Sequence, residues 1–429
     1  MSAPVLFASA QDQGGTELSL EEAVSLALEY NLNLQKDRID LEASGYSERN
    51  LWSEIFPTIN ANARADLSSP LFSGSGFSFD DGFTYSVGLG ISLSLNAGIP
   101  YAMRNIRLAH QGNILRYEDA RNQLSIQVTK RYYSLVAEKN NLALIEEVLN
   151  LARRQYERSE VLFRNGITGE LSLMQSRLAV ENARYNLSAA STAYANSMAE
   201  FLAMLGMPSD SRVNLLGEVS IVRISADPEA LITEHLPKRP DIVRSAQEIE
   251  RLQYANTQSL LQNRAPSLSL SMNWNISAFD PFLDRLNGTA TLSIPVDSWI
   301  PGTQRNQTVR RTENAVEKAR LDLAITEDAA KNQIRSLAAL LRNSWDSITI
   351  ARLGFSTAQR SYQLTEQGFL NGTVEALVLE DARNNMANAR QRLLQSELTY
   401  FNMILDLSAA LNIDWKNLIQ TFGESGEER

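Results

Sequence analysis

Side chains able to do covalent or metal chemistry are scarce in this sequence. Its 429 residues hold no cysteine and two histidines, His110 and His235. That removes thiol nucleophiles, disulfide frameworks, Cys-based zinc sites and most His-based metal sites. The histidines are isolated from each other in sequence, and a lone histidine is far more often a packed or surface residue than a ligand, so neither is assigned a role. The glycine-rich run Phe72-Ser73-Gly74-Ser75-Gly76-Phe77 lacks the lysine and following helix of a phosphate loop. No nucleophile and base stand at a catalytic spacing, so neither an enzyme nor a cofactor is expected. Fifty acidic against forty basic residues give a formal charge of −10, the wrong sign for an affinity built on neutralising phosphates, and nucleic acid is not an expected partner. The polar groups that remain of interest, Glu380 with Asp381 and the turns Asn165-Gly166 and Asn371-Gly372, take their meaning from the elements that hold them.

The longest uncharged run, residues 82–103, has the length of a membrane helix, but it contains Gly82, Gly88, Gly90, Gly98 and Pro100 amid alternating serines. It reads instead as a strand. Tyr85, Val87, Leu89, Ile91, Leu93 and Leu95 alternate with Ser86, Gly88, Gly90, Ser92, Ser94 and Asn96. Upstream, Ile59, Ala61, Ala63, Ala65 and Leu67 alternate with Asn60, Asn62, Arg64, Asp66 and Ser68, and the pattern returns at Leu268, Leu270, Met272, Trp274 and Ile276 and again at Ala290, Leu292, Ile294 and Val296. Strands are expected at about 57–68, 84–96, 267–277 and 288–296, forming two hairpins. Their length and their apolar and small polar faces match strands that cross an outer membrane, with aromatics such as Phe56, Trp274 and Trp299 near their ends; a half-buried soluble sandwich is the alternative. Four strands cannot close a membrane barrel and an open edge is not tolerated in lipid, so spanning strands require an oligomer.

Between the hairpins lie long helices. From Tyr101 to Asn165 there is no proline and one glycine, so a single helix would reach on the order of 100 Å at 1.5 Å per residue. Val128, Leu135, Leu142, Leu149, Tyr156 and Phe163 recur every seven residues, the spacing of a coiled-coil seam, and Leu173, Val180, Leu187, Tyr194 and Phe201 continue it after a turn at 164–171. Adding 206 to these positions gives Ile334, Leu341, Ile348, Phe355, Tyr362 and Phe369, a turn at 370–377, then Leu379, Met386, Leu393, Tyr400 and Leu407. Every seam position is again apolar. The chain is therefore one unit written twice, 11–217 and 218–418, with a short strand expected around 219–224 in the link. The start, 1–10, reads as a residual export signal, because Ala8-Ser9-Ala10 fits a signal-peptidase site, or as a disordered beginning. A disordered tail is expected over 419–429.

The ordered set of motifs resembles the TolC-type outer membrane efflux protein family from Leu18 to about Leu418. The resemblance is carried by Leu18-Ser19-Leu20-Glu21-Glu22-Ala23 and Asn31-Leu32-Asn33-Leu34, by Arg239-Pro240-Asp241-Ile242, by Pro57 and Pro266 before the strands, and by the tips Phe163-Arg164-Asn165-Gly166 and Phe369-Leu370-Asn371-Gly372 with Asp381-Ala382-Arg383 beyond. It implies a mainly α protein with a transmembrane β-barrel: a homotrimer in which each subunit gives four strands to a twelve-stranded barrel and its helical hairpins form a periplasmic α-barrel. It also implies passive export of drugs or proteins across the periplasm and outer membrane, together with a periplasmic adaptor protein and an inner-membrane transporter. By the same resemblance, Asp381 and Glu380 form an acidic ring at the periplasmic entrance, although the family's second acidic position is here Val378. Phe369 and Val374 stand where relatives carry a tyrosine and an arginine that hold the entrance shut. Asn165, Gly166, Asn371 and Gly372 mark the tips where the adaptor docks. A non-conducting trimeric scaffold of the envelope is the alternative function.

Overall fold

The computed structural model describes residues 16–67, 83–217, 221–277, 285–371 and 373–423. The expected signal, the run at Phe72–Phe77, most of the second hairpin loop, Gly372 and the end of the tail lie outside the described residues. The chain forms two compact units that cut across the sequence repeats. One is built from the chain up to Arg38, Tyr117–Pro240 and the chain from Asp328; the other from Ile39–Arg116 and Asp241–Glu327.

The second unit carries the strands β2 (Thr58–Leu67), β3 (Phe83–Asn96), β5 (Ser267–Ser277) and β6 (Arg285–Ser293), paired in the order β2-β3-β5-β6. Both expected hairpins are present, and antiparallel pairing of β3 with β5 joins them into one sheet. The register puts like with like across all four strands. Ile59, Ile91 and Met272 share one apolar row, Ala61, Leu89, Trp274 and Leu286 the next, and Leu95, Leu268 and Leu292 a third. The opposite face holds Asn60, Gly90, Asn273 and Asn287 in a single row, with Thr58, Ser92, Ser271 and Thr289 beside it. A Cβ at Gly90 would lie 2.9 Å from Asn273 Oδ1 and against Asn60 Oδ1, so glycine makes room for the amides on either side. The apolar face is uncovered in the single chain, with Ile59 65% and Leu292 67% exposed, and β2 and β6 each leave one edge unpaired.

The first unit holds the turn-bearing parts of the helical hairpins, whose longer helices begin in the second. Helix α3 runs over Ile99–Arg164 and α4 over Glu170–Met204; α7 (Gln304–Leu370) and α8 (Ala376–Leu411) repeat them. The shift of 206 governs their ends as well as their seams. Helix α4 closes through Met207 N–H donating to the Leu202 carbonyl at 2.9 Å around Gly206 at φ 73°, and α8 through Ile413 N–H to Ser408 at 3.0 Å around Asn412 at φ 55°. These are left-handed caps on equivalent residues. A Cβ at Gly206 would fall 2.7 Å from that of Tyr30, which leaves only glycine there. The orphan carbonyl of Met204 is capped by Asn31 Nδ2 at 2.9 Å, and its counterpart, Ala410, by buried Arg239 Nη1 at 2.9 Å. Two of the quoted motifs are thus helix-end locks.

Short elements complete this unit: β1 (Thr16–Leu18), α1 (Leu20–Tyr30), β4 (Val213–Leu215), α5 (Pro228–His235) and α9 (Trp415–Phe422), while most of α2 (Leu32–Arg49) and of α6 (Pro240–Arg264) belongs to the second unit. Ser19 and Glu22 form a reciprocal capping box at the head of α1. The link differs from expectation. Residues 221–223 form no strand, Ile224 makes a single bridge to Gly423, and the pairing lies earlier, β4 joining β1 in parallel. The tail is also corrected, since α9 remains helical to Phe422; Asp414 caps it and Leu418 is fully buried. Seam residues Val128, Leu135, Ile334, Leu341, Ile348, Tyr400 and Leu407 are buried where these short elements wrap the hairpins. Toward the turns the helices lose that cover, and Tyr156, Phe355, Tyr362 and Leu379 are half-buried.

Candidate functional site

The two turns are built alike. At the end of α3, Ile167 N–H donates to the Leu162 carbonyl at 2.9 Å and Gly166 takes φ 70°; at the end of α7, Thr373 N–H donates to the Gly368 carbonyl at 2.9 Å. This six-to-one bond ends a helix sharply, and its residues are again related by 206. Asn165, Gly166 and Asn371 are exposed, and nothing lies within 4 Å of a Cβ built on Gly166. Apolar side chains flank the turns in the open: Ile167 and Leu171 at the first, Leu377 and Val378 at the second. At the second turn Gly368 packs under Val374, whose Cγ2 lies 2.7 Å from where a Cβ would stand.

The acidic pair divides. Asp381 is exposed, whereas the Glu380 side chain is 25% exposed and turns to Arg383, its Oε1 lying 3.7 Å from Nη2. Arg383 itself is buried, and burial draws its pKa below the usual guanidinium value, with Glu380 offsetting only part. On α7, Tyr362 donates its hydroxyl proton to Glu366 Oε1 at 3.1 Å, and burial, reinforced by that carboxylate, pushes the phenol up. The Arg158 guanidinium of α3 sits over the Phe369 ring at 5.0 Å from its centre, a cation–π contact. Phe369, which lacks a hydroxyl, thus engages an arginine through its ring. Arg158 was not singled out from sequence, whereas Tyr362 was read there only as a seam residue and Arg383 only as part of the Asp381-Ala382-Arg383 motif. Arg383 had a signal: it stands four residues after Leu379 and three before Met386, on the seam face itself, where a charge is out of place.

The histidines remain outside this geometry. His110 Nδ1 lies 2.9 Å from Ser44 Oγ in the second unit, and His235 is buried at the end of α5. Among the described residues no group of acidic, histidine or cysteine side chains could hold a metal ion, and no helix is long and apolar enough to cross a membrane.

A family profile described as outer membrane efflux protein matches residues 23–207 and 231–412, two segments that follow the repeat. The chain is similar to the probable efflux pump outer membrane protein TtgC of Pseudomonas putida, 24% identical over 420 residues that cover 92% of this chain and 83% of that one. It is also similar to the cation efflux system protein CusC of Escherichia coli, 22% identical over 411 residues covering 92% and 85%. Among solved structures, the CmeC outer membrane channel of Campylobacter jejuni aligns with a TM-score of 0.74 at 18% identity, covering 95% of this chain and 87% of that one. The fold is shared.

Proposed function

The chain belongs to the outer membrane efflux protein family, and from that premise we propose that it is the outer-membrane conduit of a tripartite exporter, working as a homotrimer. The observation that carries the reading is the sheet. Its apolar face continues over four strands of 10, 14, 11 and 9 residues, lengths suited to crossing an outer membrane, and its polar face is rich in asparagine, serine and threonine, with Gly88, Gly90 and the charged Arg64 among them. Pairing the free edge of β6 with β2 of a second copy removes both edges once three copies close a twelve-stranded barrel, with amides toward water and aliphatics toward lipid. The hairpins then stand in the periplasm with their turns at the entrance. Asp381 projects into solvent there, and three copies concentrate negative potential on the axis. The exposed apolar residues beside Gly166 and Asn371 suit an adaptor's helical hairpin, and the energy comes from an inner-membrane transporter.

Planar-bilayer recording tests the conduit. Purified protein conducts, and an Asp381→Asn, Glu380→Gln double variant loses part of its cation preference; absence of any conductance favours the non-conducting scaffold, and unchanged selectivity returns both acids to ordinary surface roles. Docking is tested separately by a bulky charge. Gly166→Arg abolishes export in cells while the protein still assembles, and unaltered export sinks the docking role of the tips.

A further inference from the structure

The apolar face of the sheet does not stop where its hydrogen bonding stops. The last pair between β5 and β6 is Ser267 with Ser293, at the end of the sheet that α6 leads into and α7 leads out of. Past that pair the run begun by Leu292 goes on through Ile294, Val296, Trp299 and Ile300, each more than half exposed. The loop that carries them is tied from within. Fully buried Ser298 donates its hydroxyl to the Pro295 carbonyl at 3.0 Å, Asn306 Nδ2 donates to the Ser298 carbonyl at 3.1 Å, and Thr303 Oγ1 donates to that of Asp297 at 2.7 Å. Trp299 is therefore held outward by a fixed backbone.

Beside this ring lies a charge. Arg264, the last residue of α6, places its guanidinium 5.0 Å from the centre of the Trp299 ring. A helix C-terminus favours a cation, but the hydrogen-bond donors of this one are unspent: among the described residues no carboxylate pairs with it, and its Nε is buried without a hydrogen-bond partner. The acid of the loop, Asp297, is already held by Arg305 at 3.5 Å. A planar fork of N–H donors matches the oxygens of a phosphate, and exposed aliphatics beside an indole match the boundary between acyl chains and headgroups. We propose that Arg264 and Trp299 form a headgroup site for a phospholipid in the leaflet facing the periplasm. The guanidinium donates to the lipid phosphate, the indole stands at headgroup level, and Leu292 and Ile294 lie along the acyl chains. A free anion would leave that apolar run uncovered, whereas a lipid matches the charge and the run together. The site deepens the conduit reading and rests on it, because a sheet that crosses the membrane is what brings this end to the headgroups.

Native mass spectrometry of the full-length purified protein tests this, with dioleoylphosphatidylglycerol as the probe and dioleoylglycerol, which has the same chains and no phosphate, as its comparison. The wild type is expected to retain the phospholipid about tenfold more tightly than the diacylglycerol, and Arg264→Gln to lose most of that preference while Arg264→Lys keeps part of it. Arg320→Gln, which removes an exposed arginine of α7 paired with Glu317, leaves the preference unchanged. Equal retention of the two lipids by the wild type overturns the site, whether or not the Arg264 variants fold. An equal loss in Arg264→Gln and Arg320→Gln also overturns it, since the attraction then belongs to surface charge at large. Displacement of the lipid by inorganic phosphate, but not by chloride at equal ionic strength, overturns it too, because the site then takes a free anion. A protein that prefers the phospholipid yet never conducts leaves the site standing and removes the conduit reading; one that conducts and shows no preference overturns the site alone.

Discussion

Two tyrosines hold the link between the repeats to the hairpins, each by its hydroxyl. Tyr132 of α3 donates to the Leu18 carbonyl at 2.8 Å and accepts from Leu216 N–H at 3.0 Å; Tyr400 of α8 donates to the Val222 carbonyl at 3.0 Å and accepts from Ile224 N–H at 2.8 Å. Replacing either with phenylalanine strands a buried donor and acceptor, and a loss of about 2 kcal/mol is expected in denaturant unfolding of the purified protein. Faster hydrogen exchange should appear at 16–18 and 213–216 for Tyr132→Phe. Glu397, half-buried on α8 with Arg352 at 3.9 Å, gives a second test, because burial raises its pKa more than the arginine lowers it. The folded state therefore holds this proton more tightly than the unfolded one, and stability falls as pH rises from the ordinary carboxylate value through the raised one. Glu397→Gln should raise the melting temperature at neutral pH and lose that advantage in acid. At this scale the sequence was least legible. Tyr400 was readable as a seam residue, but its hydroxyl meets backbone 176 and 178 residues away, which no local pattern reports.

The regular elements were the most legible part, because period two along each strand and period seven from Val128 to Phe163, and again from Leu173 to Phe201, admit few other structures. Strand β6 starts at Arg285 and ends at Ser293, earlier at both ends than the expected 288–296, since Leu286 continues the apolar face across Gly288. What pattern missed was short: β1 and β4 have three residues each, and parallel pairing of Thr16 with Val213 leaves no local signature. Glycines separate packing from geometry at the same scale. Gly90→Val drives Asn60 and Asn273 off the polar face, and the amount of folded, heat-modifiable protein in outer-membrane fractions should drop several-fold. Gly112 of α3 has nothing within 4 Å of its missing Cβ, so Gly112→Ala is expected to stabilise by about 0.5–1 kcal/mol in thermal melts.

At the level of the whole molecule, sequence shows two copies of one unit, and the structure shows two compact units that are not those copies: each draws strands or hairpins from both halves of the chain. Repeats could be read from spacing, but units depend on contacts between residues hundreds of positions apart. The unpaired edges of β2 and β6 have one further consequence, and it concerns rates. In the proposed trimeric barrel a protomer owns neither side of its own closure, so on that proposal barrel formation has a kinetic order above one in protomer concentration. Diluting refolding protein tenfold into detergent should slow the appearance of heat-resistant oligomer by more than tenfold in initial rate, as gel electrophoresis can follow. Over the same interval helix formation, followed by circular dichroism, should keep a first-order time constant. On that proposal, each newly exported chain waits in the cell with two strand edges exposed, and the length of the wait is set by how many siblings are nearby.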